Sequence, residues 1–199
     1  MSQIGLFGLT TILVVLAVFV WRARPQAANR WFTFETLCVA CWVAGIGGLQ
    51  GGSNLEAWAR FTFASASMIP AAFLGFVRCF PTLSRWPSTR IVWGTMLAGA
   101  VFAISPLTTP FVVYDIDFTP HGLTRKTGPL YPIFACYILV AWVAGVGVFI
   151  SKWRQARGLA RAQLQYFGVG ILTAVAGGIG TNLLLPAITG RSTYSWVGP

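Results

Sequence analysis

Charged side chains are scarce in this sequence, and acidic ones are the scarcest. Only 9% of the 199 residues are charged, four of them are Asp or Glu, and histidine occurs once. A soluble globular domain carries about 25% charged residues, so the composition excludes an ordinary water-exposed surface. The hydrophobic share is 56% and the mean hydropathy is +0.70. The sequence therefore predicts an integral membrane protein, with a single membrane domain over residues 1–199.

Motifs that carry catalysis are missing as well. The sequence contains no phosphate-binding glycine loop, nucleophile elbow, histidine-rich metal cluster or haem-attachment motif. We therefore expect no enzyme activity, no metal and no identified cofactor in these residues. Bound lipids or pigments are the small molecules that suit such a chain.

Six apolar runs are long enough to cross a bilayer as helices, which takes about 20 residues each. We predict an all-α bundle of about six spans, with short loops between them. The first run precedes its arginines instead of following them, so it reads as a retained helix and not as a signal peptide. The spans are placed at about 4–20, 31–51, 58–80, 91–107, 130–151 and 164–188.

The 14 Lys and Arg residues divide unevenly between the two sets of loops. Ten lie on one side of the predicted bundle and four on the other. Because short cytoplasmic loops are enriched in Lys and Arg, we predict a multi-pass protein with its N-terminus outside the cytoplasm. The same scatter over short loops argues against nucleic-acid binding. Four tryptophans are predicted to anchor the inner boundary: Trp21, Trp31, Trp86 and Trp153.

The longest loop, residues 108–128, carries a strand-like alternation. Apolar and polar residues alternate with period two, which is typical of a strand with one apolar and one polar side. The apolar set is Val112, Tyr114, Ile116 and Phe118, and the other set is Val113, Asp115, Asp117 and Thr119. Pro120 to Gly122 mark a turn. We predict a short β-hairpin on the outer membrane surface.

This loop is also the favoured place for a ligand or partner. Asp115, Asp117 and His121 offer oxygen and nitrogen ligands for a metal. The alternative is that the two acids pair with Arg125 and Lys126 on the returning strand. Asn182, near the outer end of the sixth span, joins Asp115, Asp117 and His121 as a candidate contact residue.

Polar residues inside the predicted spans are few. Glu35 lies about one turn inside the second span, where a charge needs a partner. An ion pair with Arg30 or an arginine of a neighbouring loop is favoured over a proton relay, because no further carboxylate or histidine continues a path. Cys38 and Cys41 form C-x-x-C in mid-helix, which favours packing over redox work or half a zinc site. They and Cys79 and Cys136 are expected to be free thiols.

Small residues recur four apart in the second and sixth spans, which places them on one face of each helix. Such faces let helices approach closely, either within the chain or against another subunit. Intramolecular packing is the favoured alternative. The residues are Ala40, Ala44 and Gly48, and Gly170, Ala174 and Gly178.

Several short stretches of the sequence form a recognisable set. They are Arg24 to Phe32, Ala59 to Phe61, Pro70, Phe73 to Phe76, Arg161 to Tyr166, Gly177 with Gly178, Asn182 and Pro186. Together they resemble the N-terminal seven-transmembrane region of bacterial sensor histidine kinases. The resemblance covers nearly the whole chain and implies a region of the bacterial inner (cytoplasmic) membrane that senses a signal and passes it to a cytoplasmic kinase. A seventh helix would begin near Gly198, and any kinase region would lie beyond residue 199.

Three functions are compatible with these features. The first is a non-catalytic sensor module that binds a ligand or partner and shifts its helix packing. The second is an accessory subunit of a larger membrane complex, such as a photosynthetic or respiratory assembly, with other membrane subunits as partners. A transporter is third, because paired broken helices and an internal repeat are not evident.

Overall fold

The computed structural model describes residues 3–23, 26–119 and 122–180. This part of the chain forms six helices and one two-stranded sheet, which confirms the predicted helical bundle with a hairpin. Five of the helices, α1 to α5, are long and apolar enough to cross a membrane. The elements are α1 Gln3–Arg22, α2 Ala27–Gln50, α3 Leu55–Cys79, α4 Thr89–Thr108, β1 Val113–Thr119, β2 Gly122–Thr127, α5 Tyr131–Gln155 and α6 Gly158–Ile179.

The helices extend beyond the apolar runs that predicted them. Helix α2 begins at Ala27 although its predicted span began at residue 31, and α5 continues to Gln155 instead of ending at 151. Hydropathy marks the part of a helix that suits hydrocarbon, whereas the backbone hydrogen bonds continue into the polar interface. Helix α6 begins at Gly158, and the end of its predicted span lies outside the described residues.

Helices α2 and α3 form the closest antiparallel pair, and glycines set their spacing. A Cβ at Gly45 would overlap the Thr62 side chain, and one at Gly48 would overlap the indole of Trp58. At the other end of the seam, Trp31 of α2 lies over Gly75 of α3. Small residues on one face allow this approach. The intramolecular alternative therefore holds for the second helix, where Ala40 and Gly48 are buried.

Helix α3 is the centre of the bundle, because it contacts α2, α4, α5 and strand β1. Phe73 of α3 is fully buried, with its ring 4.9 Å from that of Trp142 on α5 and against Gly145. Burying an aromatic side chain of this size contributes a large share of packing energy. Helix α1 packs on α2, where Leu6 is fully buried beside Val43.

The hairpin differs in detail from the predicted alternation. Strands β1 and β2 pair antiparallel, but the register shifts between Tyr114 and Asp117. Asp115 has φ of 51°, a left-handed conformation that accompanies β-bulges. Val112 and Val113 are both fully buried, although strict alternation placed them on opposite faces, because Val112 precedes the first residue of β1 and is not part of the strand.

Candidate functional site

Within the described residues, the two ends of the bundle carry side chains of different charge. One end, here the basic end, comprises the last turns of α1, α3 and α5 and the first turns of α2, α4 and α6. Its exposed cations are Arg22, Arg30, Arg85, Arg90, Arg154, Arg157 and Arg161. The opposite end, here the hairpin end, carries the β-hairpin and three of the four acids of the sequence: Glu56, Asp115 and Asp117.

At the hairpin end, Arg125 of β2 joins the sheet to the helices. Its guanidinium carbon lies 4.7 Å from the centre of the Phe63 ring on α3, a cation–π contact. Burial lowers the pKa of Arg125, and the neighbouring Tyr131 hydroxyl opposes that shift. The Phe63 ring also meets the rings of Tyr131 and Phe134 at the start of α5. The hairpin therefore rests directly on the ends of α3 and α5.

One predicted contact residue of the hairpin, Asp115, is paired within the hairpin itself. Asp115 forms an exposed ion pair with Lys126 at 2.5 Å, as the ion-pair alternative expected. The hydrogen bond from Lys126 to Asp115 raises the pKa of that lysine. Asp117 is exposed on the same strand. His121 and Asn182 lie outside the described residues, and the residues that are described contain no cluster of three metal-ligating side chains.

In mid-bundle, Tyr137 of α5 links three helices beside a proline. Pro70 lies inside α3, and a proline disturbs the backbone hydrogen bonds of the preceding turn. The Tyr137 hydroxyl donates to the Ser67 carbonyl of that turn at 2.9 Å, and the Thr95 carbonyl of α4 is 3.3 Å away. Gly99 leaves room for the hydroxyl, since a Cβ there would lie 2.7 Å from it.

At the basic end, Lys152 of α5 caps the end of α3. Its ammonium donates to three backbone carbonyls, those of Arg78 at 2.9 Å, Phe80 at 2.9 Å and Thr82 at 2.6 Å. A helix leaves its last carbonyls without partners and carries partial negative charge there. From the sequence, Lys152 is only one of the ten Lys and Arg residues on the more basic side of the predicted bundle. The sequence does contain a signal for a capping role. This lysine follows an apolar run, at about the membrane depth where another predicted helix ends.

Five phenylalanines from four helices meet beside this cap. Phe167 of α6 lies 4.8 Å from Phe76 of α3, ring centre to ring centre, and Phe76 stacks on Phe80 at 5.0 Å. Phe32 of α2 and Phe149 of α5 complete the group, at 6.4 and 6.2 Å from Phe167. We name Phe32, Phe76, Phe80, Phe149 and Phe167 the phenylalanine cluster.

The four predicted anchor tryptophans all lie at the basic end. Trp21 and Trp86 are exposed, as membrane-interface side chains are. Trp31 is partly buried between helices, beside Gly75 of α3 and 6.1 Å from Trp93 of α4. Trp153 is partly buried, and the guanidinium of Arg161 lies 5.6 Å from its ring.

Glu35 does not form the ion pair that its position predicted. It is 5% exposed, and its Oε2 atom has no hydrogen-bond partner among the described residues. The two ion pairs of the described chain are Arg60 with Glu56 and Lys126 with Asp115. Arg30 is exposed at the first turn of α2, five residues before Glu35. All four cysteines are free in the structure.

These features define a multi-pass membrane protein whose helices connect a hairpin on one side to a basic surface on the other. Comparison with known protein families matches residues 6–190 to the N-terminal 7TM region of histidine kinase. The match covers most of the chain, and the chain belongs to this family, whose membrane region is a sensory module. Neither the curated proteins nor the solved structures contain a match.

Proposed function

We propose that this chain is a membrane signal receiver in which the hairpin end takes up the signal and α3 carries it to the basic end. The observation that carries the proposal is that one helix is held at both ends by different elements. Strand β2 holds its first turns through Arg125 and Phe63, and α5 holds its last turn through Lys152. A shift of the hairpin would therefore displace α3 along its whole length.

The Pro70 region supplies a place where α3 can change shape. Proline removes one backbone hydrogen bond and bends a helix. The carbonyl of Ser67, in the same turn, is bonded by a side chain of another helix, Tyr137. A bend at this turn would change the distance between α3 and α5, so movement of either helix is coupled to the other.

The phenylalanine cluster is the proposed output. Phe76 and Phe80 belong to α3 and its end, and Phe167 belongs to α6. Helix α6 contacts the bundle mainly through α5 and through this cluster. Movement of α3 would thus reach α6, the last helix of the described chain.

The proposed receiving surface is the exposed face of the hairpin. Asp115 and Asp117 lie there, and His121 and Asn182 stay predicted contact residues. We propose an orientation with the hairpin outside a bacterial inner membrane and the basic end in the cytoplasm, and the excess of Lys and Arg at the basic end supports this orientation. The expected ligands are a small molecule or a protein partner at the membrane surface.

Hydrogen–deuterium exchange on two variants of the full chain in lipid nanodiscs tests this coupling. Arg125→Gln removes the cation–π contact between strand β2 and α3. Lys126→Gln removes an exposed ion pair at the neighbouring residue. We expect Arg125→Gln to speed exchange both in the hairpin and at the distant amides of residues 76–84. Lys126→Gln should affect the hairpin alone. A change confined to the hairpin end in both variants contradicts the relay.

The accessory-subunit and transport hypotheses stay predictions, because no observation on the described residues favours either. Both differ from the proposed function in what the hairpin does. An accessory subunit would hold its neighbours through its lipid-facing helices, so changes there would disturb assembly. The relay depends instead on contacts inside the chain.

A further inference from the structure

Glu35 is the one carboxylate that the sequence places inside a membrane span, and the structure buries it. It lies eight residues after the start of α2, which is about 12 Å along a helix that rises 1.5 Å per residue. The side chain is 5% exposed, and its Oε2 atom has no hydrogen-bond partner within the described chain.

The seam between α2 and α3 supplies an apolar setting for this carboxyl. Trp31 lies against Gly75 and Gly45 against Thr62, so the antiparallel register brings Glu35 to the level of Ala71. Ala71 and its neighbours Ala72 and Phe73 are fully buried. Trp31, one turn before Glu35 on the same helix face, separates it from the basic end.

Titratable groups on the neighbouring elements lie elsewhere. On α2 itself, Cys38 is the nearest, one turn further on. The residues of α3 between Arg60 and Arg78 include no charged side chain. Arg22 of α1, Arg90 of α4 and Arg161 of α6 are exposed at the basic end, and none forms an ion pair in the described chain.

An ionised carboxylate without a partner in such a place costs far more free energy than the neutral acid does. We propose that Glu35 is a proton-binding site, occupied while α2 and α3 are packed together and emptied toward the basic end when this seam opens. Binding one proton needs only one carboxyl. The lack of a second acid argues against a chain of proton transfers, but it does not argue against proton binding at Glu35. Helix α3 is one side of this seam and is also the helix of the proposed relay, but proton binding at Glu35 does not rest on that relay.

Carboxyl spectroscopy on the full chain in lipid vesicles tests the protonation state. Glutamate occurs twice in these 199 residues, as Glu35 and Glu56, so glutamate labelled with ¹³C at the side-chain carboxyl gives few signals to assign. We expect an infrared band of a protonated, labelled carboxyl at neutral pH that disappears in Glu35→Gln. The control Glu56→Gln, at the exposed pair with Arg60, should leave that band in place.

Glutamine has the shape of the neutral acid, so Glu35→Gln is expected to fold. If it does not, Glu56→Gln alone leaves one labelled glutamate in this sequence, and its band can be followed directly. A band of ionised carboxylate assigned to Glu35 at neutral pH overturns the proposal.

Thiol labelling tests the link between proton release and seam opening. Cys38 is partly buried one turn from Glu35, and a chain with alanine at Cys41, Cys79 and Cys136 reports on it alone. We expect labelling to rise several-fold more with increasing pH when Glu35 is present than in Glu35→Gln, which corrects for the reactivity of the thiol itself. Equal pH profiles would show that proton release leaves the seam closed. The hydrogen–deuterium exchange test of the hairpin relay could fail while the Glu35 results stay the same, because the two sets of experiments measure different atoms.

Discussion

Lys152 shows how much a single side chain can do where a helix ends in a membrane protein. The last carbonyls of α3 and of the loop after it point to one ammonium group, and no bulk water is needed to satisfy them. A charged donor to a carbonyl is worth more than a neutral one. The cap therefore joins α5 to α3 more firmly than an apolar contact of the same size would.

Replacing Lys152 by methionine is expected to destabilise the protein by about 1–3 kcal/mol, because three carbonyls lose a charged donor while the apolar stem is kept. Thermal unfolding of the purified chain in detergent measures the loss. Arg154→Met is the control, since Arg154 is exposed two residues later. Equal melting temperatures for the two variants would refute the cap.

Tyr137→Phe removes the hydroxyl that bonds the Ser67 carbonyl beside Pro70. Hydrogen bonds between membrane helices are worth about 0.6 kcal/mol on average, so we expect a small but measurable loss of stability. Tyr166→Phe, at a tyrosine 85% exposed, should have no effect on unfolding. A loss of the same size in both variants would mean that the hydroxyl does not act through Ser67.

The sequence predicts side-chain pairs that are close along a hairpin, but it does not predict contacts that depend on how helices pack. Asp115 and Lys126 face each other because a hairpin brings its two strands together, and the sequence predicted both. Glu35 and Lys152 depend on which helix faces which, and one sequence does not settle that. Proximity along α2 suggested Arg30 as the partner of Glu35, but adjacent turns of a helix need not share a face.

At the scale of elements, the seam between α2 and α3 is a packing of glycines against large side chains. Without a hydrophobic drive between helices in lipid, close contact of this kind holds them together. The sequence predicted a small-residue face on α2. It did not identify Trp58 and Thr62 as the residues opposite, because the register of two helices is decided by tertiary packing.

Gly48→Ala should weaken this seam by about 1–3 kcal/mol, as overpacking of a tight contact does, because the new methyl group would overlap the Trp58 indole. Gly147→Ala is the matched control in α5, where a Cβ meets no atom within 4 Å. Alanine also favours helix there. Unfolding by denaturing detergent compares the two, and a Gly48→Ala chain as stable as Gly147→Ala would count against the seam.

Element types followed from composition, whereas element ends and the bulge did not. Apolar runs predicted all of the described helices, because lipid leaves a spanning backbone few alternatives. The hairpin followed from alternation and turn residues. The irregularity between Tyr114 and Asp117 did not follow from that alternation, because the pattern of one strand does not specify how it pairs with the next.

For the whole molecule, the orientation can be measured directly with two introduced cysteines. Tyr114→Cys places a thiol on the hairpin and Arg85→Cys places one at the basic end, and both positions are exposed. We expect a membrane-impermeant maleimide to label the first in intact cells and the second only after permeabilisation. The parent chain gives the background of native cysteines, and the reverse pattern would invert the topology.

The uneven anchoring of the two ends has a consequence for bilayers of different thickness. At the hairpin end, Arg60 pairs with Glu56, Lys126 pairs with Asp115, and Arg125 lies over Phe63. At the basic end, exposed arginines and the indoles of Trp21 and Trp86 face the headgroup region. We therefore expect a thicker or thinner membrane to be accommodated at the hairpin end, which would rise or sink relative to its lipids while the basic end keeps its depth.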